Sequence, residues 1–537
     1  MPGRLSKTPI KNNMKKVLTL LCLALSLNVA QARFINMLDF GAKNDSSFLN
    51  TEVIARAIDT LEACGGGTLY FPAGKYLTGP ITLKSYITLE VEAGASLCFS
   101  DNFDHYMPYV EMRYEGVVMK SFHPLIAAYD AENIAIKGRG TLEGNGRAWW
   151  HEAWRNEGNV KEGVKRRNKY QQAWVEANAN LALEEQSDWK RTIAREFFRP
   201  PFIQFYRCSN ILIEGLHIQN SPFWTVNPEF CDNLNIKDLT INNPESPNTD
   251  GINPSSCRNV HISNCHISVG DDCITIKSGR DLQGRQYGVP CENITITNCT
   301  MLSGHGGVVI GSEMSGDVRK VTISNCVFDG TDRGIRLKSA RGRGGIVEEI
   351  RVDNIVMKNI QREAIIFNLF YANTPQEPVS ERTPIFRNIH ISNVTGTDVK
   401  SVGGVRGIPE MPVSDISISH VNMDAENGFY LREAKNISIS DFSVNCDKGP
   451  VLDVLNTEEL YISNVRTLKP NASLPVIRLD NARQVFIANC FPLPGSQAFL
   501  ELKGADTQGV VLRNNYVERL DVDVIRHPEV SKKALWK

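Results

Sequence analysis

Ile294-Thr295-Ile296-Thr297-Asn298-Cys299 is followed one repeat later by Val321-Thr322-Ile323-Ser324-Asn325-Cys326. In both hexapeptides apolar and polar residues alternate before an Asn-Cys pair, which is the pattern of a half-buried β-strand that ends at a turn. The same apolar, polar, apolar core recurs from Ile134 onward at spacings mostly between 20 and 40 residues, at 211–213, 234–236, 260–262, 350–352, 389–391, 416–418, 437–439 and 460–462. A short element repeated at this period indicates an elongated core of stacked units.

The repeat predicts an all-β fold, and specifically a parallel β-helix. Its spacing is too short for a βαβ unit with a crossover helix, and heptads and leucine-rich spacing are absent. Recurrent asparagines are expected to form turns whose amides make a ladder from coil to coil: Asn264, Asn298, Asn325, Asn354 and Asn393. An antiparallel sandwich or a propeller is the alternative, and the scarcity of hairpin dipeptides argues against it.

Two stretches of the predicted domain, residues 33–537, depart from the repeat. The first, Thr51 to Ala63, carries apolar residues at helical spacing and is expected to form an N-terminal helical cap on the β-helix. The second, residues 147–199, holds five of the seven tryptophans and a helical-looking segment from Asn178 to Glu185. We interpret it as a helical insertion, because the strand pattern resumes at Phe202. Most of its tryptophans are expected to pack it onto the β-helix, and contact with a sugar ring is the alternative.

Residues 1–32 have the features of a secretory signal peptide. Lysines at positions 11, 15 and 16 precede an apolar run at 17–27, and Ala30-Gln31-Ala32 resembles a cleavage site. The apolar run is far shorter than the roughly 20 residues that a transmembrane anchor needs. We therefore expect a secreted or periplasmic protein with no membrane segment.

Composition limits the partners and cofactors. The formal net charge is −1, which gives no electrostatic reason to expect nucleic acid or an anionic membrane as a partner. Of the 13 cysteines, Cys265, Cys299 and Cys326 each follow an Asn in nearly identical contexts, which favours a buried stack of small side chains over disulfides. No CxxC pair marks a zinc site. We expect no bound metal and no cofactor, and we expect the protein to be a monomer.

Polar residues recur at one phase of the repeat in the middle of the chain. Four clusters lie in or beside short apolar runs: Asn248-Thr249-Asp250-Gly251, Gly270-Asp271-Asp272-Cys273, Gly304-His305-Gly306 and Arg336-Leu337-Lys338. Each cluster alone is ordinary turn or strand-face chemistry. Because neighbouring coils of a β-helix are roughly 4.8 Å apart, residues one repeat apart become neighbours. Three carboxylates, one imidazole and two cations are thus expected on one face.

In this combination and order, the clusters resemble the motifs of glycoside hydrolase family 28, the polygalacturonase and pectin hydrolase family. The resemblance covers nearly the whole chain after residue 32, including Thr141 to Gly146 and Gly311-Ser312-Glu313. The one departure is Leu337, where the family more often has Ile. The resemblance implies a single-stranded right-handed parallel β-helix of the pectin-lyase type, and an acidic plant polysaccharide or oligosaccharide (pectin) as substrate.

The resemblance also implies roles for the clustered residues. Asp271 would be the general acid, while Asp250 and Asp272 would share the role of base and hold the attacking water. An inverting enzyme keeps acid and base roughly 6.5 to 9.5 Å apart. Three adjacent carboxylates do not all ionise easily, so one proton is expected to remain on the cluster near neutral pH.

Three further residues have implied roles around the carboxylates. His305 would help set the protonation of the acid, with a structural histidine in a glycine turn as the alternative. Arg336 and Lys338 would bind a substrate carboxylate on the leaving-group side, and Asn248 would contact substrate.

Three alternatives remain at this point. A pectate-lyase-like enzyme would use the carboxylates to bind calcium and would cleave by elimination. A rhamnogalacturonan hydrolase would differ in its subsites, and a secreted carbohydrate-binding β-helix would have no catalytic use for the cluster. Within the hydrolase reading, we expect exo-action, because the insertion at 147–199 precedes the coil of Asp250 and could cover one end of the groove as a flap. Packing on the far side of the β-helix is the other option for it.

Overall fold

The structure is a computed structural model that describes Gly3 and residues 33–163, 166–181, 183 and 190–537. Except for Gly3, the predicted signal peptide lies outside the described residues, as does Trp189. No helix in the described part of the chain is long and apolar enough to cross a membrane.

The described residues form 33 strands and few helices. The strands are β1 Phe34–Asn36, β2 Gly67–Phe71, β3 Gly74–Thr78, β4 Ile81–Leu83, β5 Ile87–Val91, β6 Ala95–Phe99, β7 Val110–Tyr114, β8 Val117–Ser121, β9 Ile126–Tyr129, β10 Glu132–Gly138, β11 Thr141–Glu143, β12 Ile203–Tyr206, β13 Ser209–Glu214, β14 His217–Gln219, β15 Asp232–Lys237, β16 Thr240–Asn243, β17 Arg258–Ser263, β18 His266–Val269, β19 Asp272–Ile276, β20 Cys291–Thr297, β21 Thr300–Ser303, β22 Gly306–Gly311, β23 Val318–Asp329, β24 Ile335–Lys338, β25 Ile346–Asn368, β26 Ile385–Arg406, β27 Val413–Arg466, β28 Ile477–Asp480, β29 Arg483–Ala488, β30 Leu500–Lys503, β31 Gln508–Arg513, β32 Val524–Arg526 and β33 Leu535–Trp536. The α-helices are α1 Thr51–Ala63, α2 Arg147–Lys161, α3 Lys169–Ala177, α4 Lys190–Ile193 and α5 Asp281–Tyr287, and 3₁₀ turns lie at Phe103–Tyr106 and Lys532–Ala534.

The strands stack in parallel from coil to coil, which confirms the predicted parallel β-helix. One column of apolar residues shows the register, because each member pairs with the next: Val260, Ile294, Val321, Ile350, Ile389 and Ile416. All six are buried. These are the first residues of the sequence repeat, so the period read from the sequence is the length of one coil. Their stacking forms a continuous apolar core along the chain.

The predicted asparagine turns are present, but their amides do not form one continuous ladder. All five asparagines have positive φ, which Asn tolerates better than most residues. Asn354 donates to Asn325 at 2.8 Å as expected, whereas Asn264 and Asn393 donate to aspartates of the preceding coil. A carboxylate is a stronger hydrogen-bond acceptor than an amide oxygen. An Asn side chain therefore donates to an Asp where the preceding coil carries one at that position. The adjacent Cys265, Cys299 and Cys326 are buried and reduced.

The helical cap α1 covers the predicted range, and its apolar stripe is buried against the first coils. The insertion contains α2, α3 and α4, but the segment from Asn178 onward is not helical in its described part. Helix α3 ends at Ala177, and the chain turns at 178–180. Trp149, Trp150 and Trp174 are buried, while Trp154 is 42% exposed. Trp174 packs against the antiparallel hairpin of β7 and β8, so this hairpin joins the insertion to the β-helix.

Candidate active site

Three successive coils carry the predicted site residues to one place. Strand β19 begins at Asp272, β22 follows it in register, and β24 follows β22, so that Gly311 pairs with Lys338. Together with the turns at Asn248–Asp250 and at His305, they line a cavity of about 800 Å³, which we call the reaction cavity. All seven residues singled out in the sequence line it: Asn248, Asp250, Asp271, Asp272, His305, Arg336 and Lys338.

The three carboxylates form one group. Oxygen atoms of Asp250, Asp271 and Asp272 lie within 4.8 Å of one another. Asp271 Oδ1 lies 3.0 Å from His305 Nδ1 and accepts from the backbone N–H of Asp272 at 3.0 Å, and its Oδ2 accepts from the Asn248 amide at 3.3 Å. Asp250 is buried more deeply and accepts from the Asn253 amide at 2.9 Å. The nearest oxygens are thus closer than the roughly 6.5 to 9.5 Å typical of carboxyl groups in inverting glycosidases.

Both predicted cations point at Asp272. Lys338 Nζ donates to Asp272 Oδ2 at 2.7 Å, and Arg336 Nη1 lies 3.5 Å from Oδ1. The Tyr371 ring lies beside both cations, with its centroid 5.6 Å from the Arg336 guanidinium carbon and 5.5 Å from Lys338 Nζ. A substrate anion bound here would therefore share the two cations with Asp272.

The carboxylates differ in proton affinity. Burial, reinforced by the charge of Asp271, raises the pKa of Asp250 well above its usual range. Burial also acts on Asp271, but the hydrogen bond with His305 and the charge of Lys338 outweigh it and lower the pKa of Asp271 to about 2. The hydrogen bond with Asp271 in turn raises the pKa of His305 above 6.5. Burial and the neighbouring charges therefore favour a proton on Asp250 over one on Asp271, the reverse of what the acid role requires.

Beneath the carboxylate cluster lies a buried ion pair between Lys277 and Glu313. The sequence motifs did not reveal this pair. Lys277 Nζ donates to Glu313 Oε2 at 2.8 Å, lies 4.0 Å from Asp250 Oδ2 and sits 4.6 Å from the centroid of the Trp224 ring. Burial works against ionisation of Glu313, but the charges of Lys277 and Arg280 hold the pKa of Glu313 well below its usual range. The available signal was Lys277 itself, a charged residue directly after the wholly buried strand β19.

The tip of the β7–β8 hairpin and the residue that precedes α5 line one side of the reaction cavity. Glu115, at the hairpin tip, lines the cavity and forms an ion pair with Arg280 at 3.2 Å. The Val118 N–H donates to the Gln283 side chain at 2.9 Å, which fixes the hairpin to α5. The described insertion residues do not line the cavity. Among the described residues, Trp174 of the insertion packs against the β7–β8 hairpin.

The insertion also reaches the site through its last residue. Arg199 is buried, donates to the Asn248 side chain at 2.9 Å and donates to the Pro247 carbonyl at 3.0 Å. Asn248 in turn donates to Asp271. Residue 199 thus orients a residue that touches the carboxylate cluster.

A parallel β-helix with a carboxylate cluster in a cation-lined cavity defines a class of enzymes that cleave acidic polysaccharides. Residues 189–446 match the model of glycosyl hydrolases family 28, and residues 34–101 match a model described as rhamnogalacturonase A/epimerase, pectate lyase-like. The chain is 30% identical over 404 residues to a probable polygalacturonase of Vitis vinifera, covering 73% of this chain and 74% of that protein. The chain belongs to glycosyl hydrolase family 28 and is a glycosidase.

Relatives of both modes of action are similar to the chain. An exo-poly-alpha-D-galacturonosidase of Dickeya chrysanthemi is 30% identical over 430 residues, covering 77% of this chain and 70% of that protein. An endo-polygalacturonase of Pectobacterium carotovorum is 27% identical over 406 residues, covering 74% of this chain and 89% of that protein. The crystal structure of a hyperthermoactive exopolygalacturonase from Thermotoga maritima superposes with a TM-score of 0.65 at 35% identity, covering 76% of this chain and 92% of that one.

Replacing Lys277 by Met is expected to lower the free energy of unfolding by about 2–4 kcal/mol, because the buried Glu313 loses its nearest cation and keeps only the longer contact with Arg280 at 3.4 Å. Chemical denaturation followed by circular dichroism measures this change. The matched control is Lys400→Met, which breaks an exposed pair with Glu426 and should leave the denaturation midpoint near the wild-type value. Equal denaturation midpoints for the two variants would show that the pair does not stabilise the fold.

Proposed function

We propose that the protein hydrolyses α-galacturonosidic bonds of pectin, with inversion and from a chain end, after export by the predicted signal peptide. The observation that carries the proposal is the location of two cations, Arg336 and Lys338, beside the carboxylate cluster in one cavity. The carboxylate cluster can supply the acid and the base that cleave a glycosidic bond, and Arg336 and Lys338 form a clamp for a substrate carboxylate. This combination fits a polymer in which every sugar carries a carboxylate.

In the proposed reaction, Asp271 donates a proton to the leaving oxygen, and Asp250 and Asp272 bind the attacking water. Asp271 is the member of the cluster nearest His305, and its side chain is less buried than those of Asp250 and Asp272. Its exposure suits a group that must reach a sugar oxygen. The resting proton on Asp250 then has to move to Asp271 before the bond breaks.

Substrate binding supplies a reason for that proton shift. Lys338 lowers the pKa of Asp271, and a sugar carboxylate that binds Lys338 and Arg336 would neutralise part of their charge. Expulsion of water by the sugar would act in the same direction, because it disfavours an ionised Asp271. Moving one proton from Asp250 to Asp271 would create both the acid and the base. The uronate would thus activate its own hydrolysis.

Inversion is favoured because Asp250 and Asp272 are both poor nucleophiles in this environment. A retaining mechanism needs an ionised carboxylate that attacks the sugar. Asp272 is held by Lys338 and Arg336, and the raised pKa of Asp250 keeps that residue protonated until the shift. A water molecule held by both residues is the better nucleophile in this setting, despite the short distance between the carboxylates.

Elimination is the second candidate, and the three adjacent carboxylates are the observation that favours it. Calcium prefers six to eight oxygen ligands. Here the Lys338 ammonium already neutralises Asp272, and Lys277 lies 4.0 Å from Asp250. Two lysines in this position reduce the affinity for a divalent cation, which favours hydrolysis.

The difference between the two ends of the cavity supports exo-action. The clamp lies in a later coil than Asp271, so the leaving part of the substrate would extend toward the C-terminal coils. The sugar that is released would then lie against Glu115 and Trp224, and the proposal is that the β7–β8 hairpin, held to α5 by the Val118–Gln283 hydrogen bond, closes this end of the groove. A polymer could enter only with its non-reducing end.

Asp271→Asn should reduce kcat on galacturonate oligomers by at least about 10²-fold, because the acid can no longer donate a proton. Binding of the oligomer, measured by calorimetry, should stay near the wild-type value. The control is Asp398→Asn, which makes the same change on the exposed surface. A wild-type rate in Asp271→Asn would remove this residue from the mechanism.

Lys338→Met should shift the alkaline limb of the kcat/KM profile to higher pH. Lys338 lowers the pKa of both Asp250 and Asp271, so its loss raises the pKa of whichever carboxyl carries the catalytic proton. That proton is then lost at a higher pH. Lys338→Arg keeps the charge and should leave the limb near its wild-type position. An unmoved limb in Lys338→Met would assign it to a group outside the carboxylate cluster.

Early products from long polygalacturonate should be monomers, with slow loss of viscosity, because only a chain end fits the reaction cavity. Chromatography of products in the first minutes, together with viscometry, measures both properties. Rapid loss of viscosity with a ladder of mid-sized oligomers would contradict the proposed closure by the hairpin and α5.

A further inference from the structure

A second cavity of about 720 Å³, which we call the outer cavity, continues the reaction cavity toward the C-terminal coils. Arg406 and Tyr430 line both cavities, so the two adjoin, and we call them together the groove. The groove thus runs on in the direction in which the proposed leaving group extends.

The register of the strands places polar side chains along this groove at regular intervals. Lys338 pairs with Asn368 in the next coil, and Asn368 pairs with Arg406 in the coil after it. Parallel partners in register point to the same side of a sheet, and all three residues line the reaction cavity. Two coil steps separate Lys338 from Arg406, about 10 Å along the axis. One coil step is comparable to one pyranose unit with its bridging oxygen.

Asn368 and Arg406 keep hydrogen-bond donors available. The Asn368 side-chain oxygen accepts from the Phe370 N–H at 2.8 Å, and its amide NH₂ has no partner among the described residues. Among the described residues, every arginine that lines the two cavities pairs with a carboxylate except Arg406. Its guanidinium carbon lies 4.5 Å from the centroid of the Phe370 ring, and its side chain is exposed.

The neighbouring cations show why Arg406 is distinctive. Arg341 pairs with Glu410, and Arg432, one coil beyond Arg406 in the same column, pairs with Asp453. These pairs satisfy the charge of both arginines within the protein. An exposed guanidinium in a groove, oriented by an aromatic ring and without an internal counter-ion, is suited to a bidentate contact with a carboxylate.

We propose that Asn368 and Arg406 form a distal subsite that binds a uronate two to three sugars beyond the cleaved bond, with Arg406 holding its carboxylate. The proposal rests on the proposed function for the direction of the substrate. It adds that the enzyme prefers several consecutive uronates over a chain in which acidic and neutral sugars alternate. The preference arises because Lys338, Asn368 and Arg406 provide donors at every coil.

The test compares galacturonate dimers and tetramers as substrates of the wild type and Arg406→Met. The dimer ends before Arg406, so its kcat/KM should change by less than about twofold. The tetramer should lose about tenfold in kcat/KM, the effect of one charge-assisted hydrogen bond. The loss should appear in KM, since the contact is the same in the ground state and the transition state. Arg406→Lys should retain part of the affinity.

Arg513→Met is the matched control, because Arg513 is exposed on a C-terminal coil and donates only to the neighbouring Leu512 carbonyl among the described residues. It should leave both substrates unaffected. An equal loss for dimer and tetramer in Arg406→Met would mean that Arg406 acts through the fold, and no loss for either would mean that the substrate does not reach it. Both results overturn the subsite.

Failure of the proposed function gives a different result. If the wild type hydrolyses neither oligomer, the proposal that the enzyme hydrolyses galacturonans fails. Binding of the tetramer, measured by calorimetry, then tests whether the distal subsite exists. Affinity that falls about tenfold in Arg406→Met and not in Arg513→Met would still support the subsite. Absence of binding to the wild type, or binding that is independent of Arg406, would overturn it.

Discussion

The in-register parallel stacking of coils is the constraint on which the site depends. Backbone hydrogen bonds hold successive coils at roughly 4.8 Å, so a column of identical positions becomes a row of neighbouring side chains. In the core this produces the column that contains Val260, Ile294 and Val321. On the cavity face the same stacking sets β24 two coils after β19, so that the long side chains of Arg336 and Lys338 reach back to Asp272, although 66 residues separate Asp272 from Lys338. The chemistry follows from the register because a slip of one residue would turn these side chains into the core.

Crowding three carboxylates has an electrostatic cost, and the surrounding residues offset it in different ways. Asp272 is neutralised by two cations, Asp271 by His305 and more distant lysines, and Asp250 by keeping its proton. Lys277 adds a charge from below, yet Glu313 takes most of its effect. Such a cluster responds strongly to one more charge, because small changes in the local field redistribute a shared proton. An anionic substrate brings that charge, which links recognition of a uronate to the protonation of the proposed acid.

The sequence was sufficient for features that depend on periodicity and insufficient for those that depend on long-range partners. The repeat predicted the fold and the meeting of Asp250 with Asp271, since both follow from coil length, and the helical spacing of apolar residues predicted the helix at Thr51–Ala63. It did not predict that Lys338 would face Asp272, that the proton would lie on Asp250, or that Lys277 and Glu313 would pair. Side-chain reach and burial decide these features, and no spacing encodes them. The insertion was located correctly, but its direction depends on Trp174 packing against a hairpin that the pattern did not reveal.

The two ends of the groove differ in how their charges are satisfied, and the difference gives the groove a direction. At the N-terminal end, Glu115 with Arg280 and Lys277 with Glu313 form pairs inside the wall, so this end has little net attraction for an anion. At the other end, Arg406 has no counter-ion within the described residues, and Asn368 has an amide to offer. A polyuronate in the groove is therefore attracted toward the end at Arg406 and meets paired charges at the end near Glu115. Since exposed charges are screened within about 8 Å at physiological ionic strength, this attraction acts along the groove itself and only weakly at long range. The charge pattern thus supports the same orientation of the substrate as the proposed closure by the hairpin does, although the two arise from different elements of the fold.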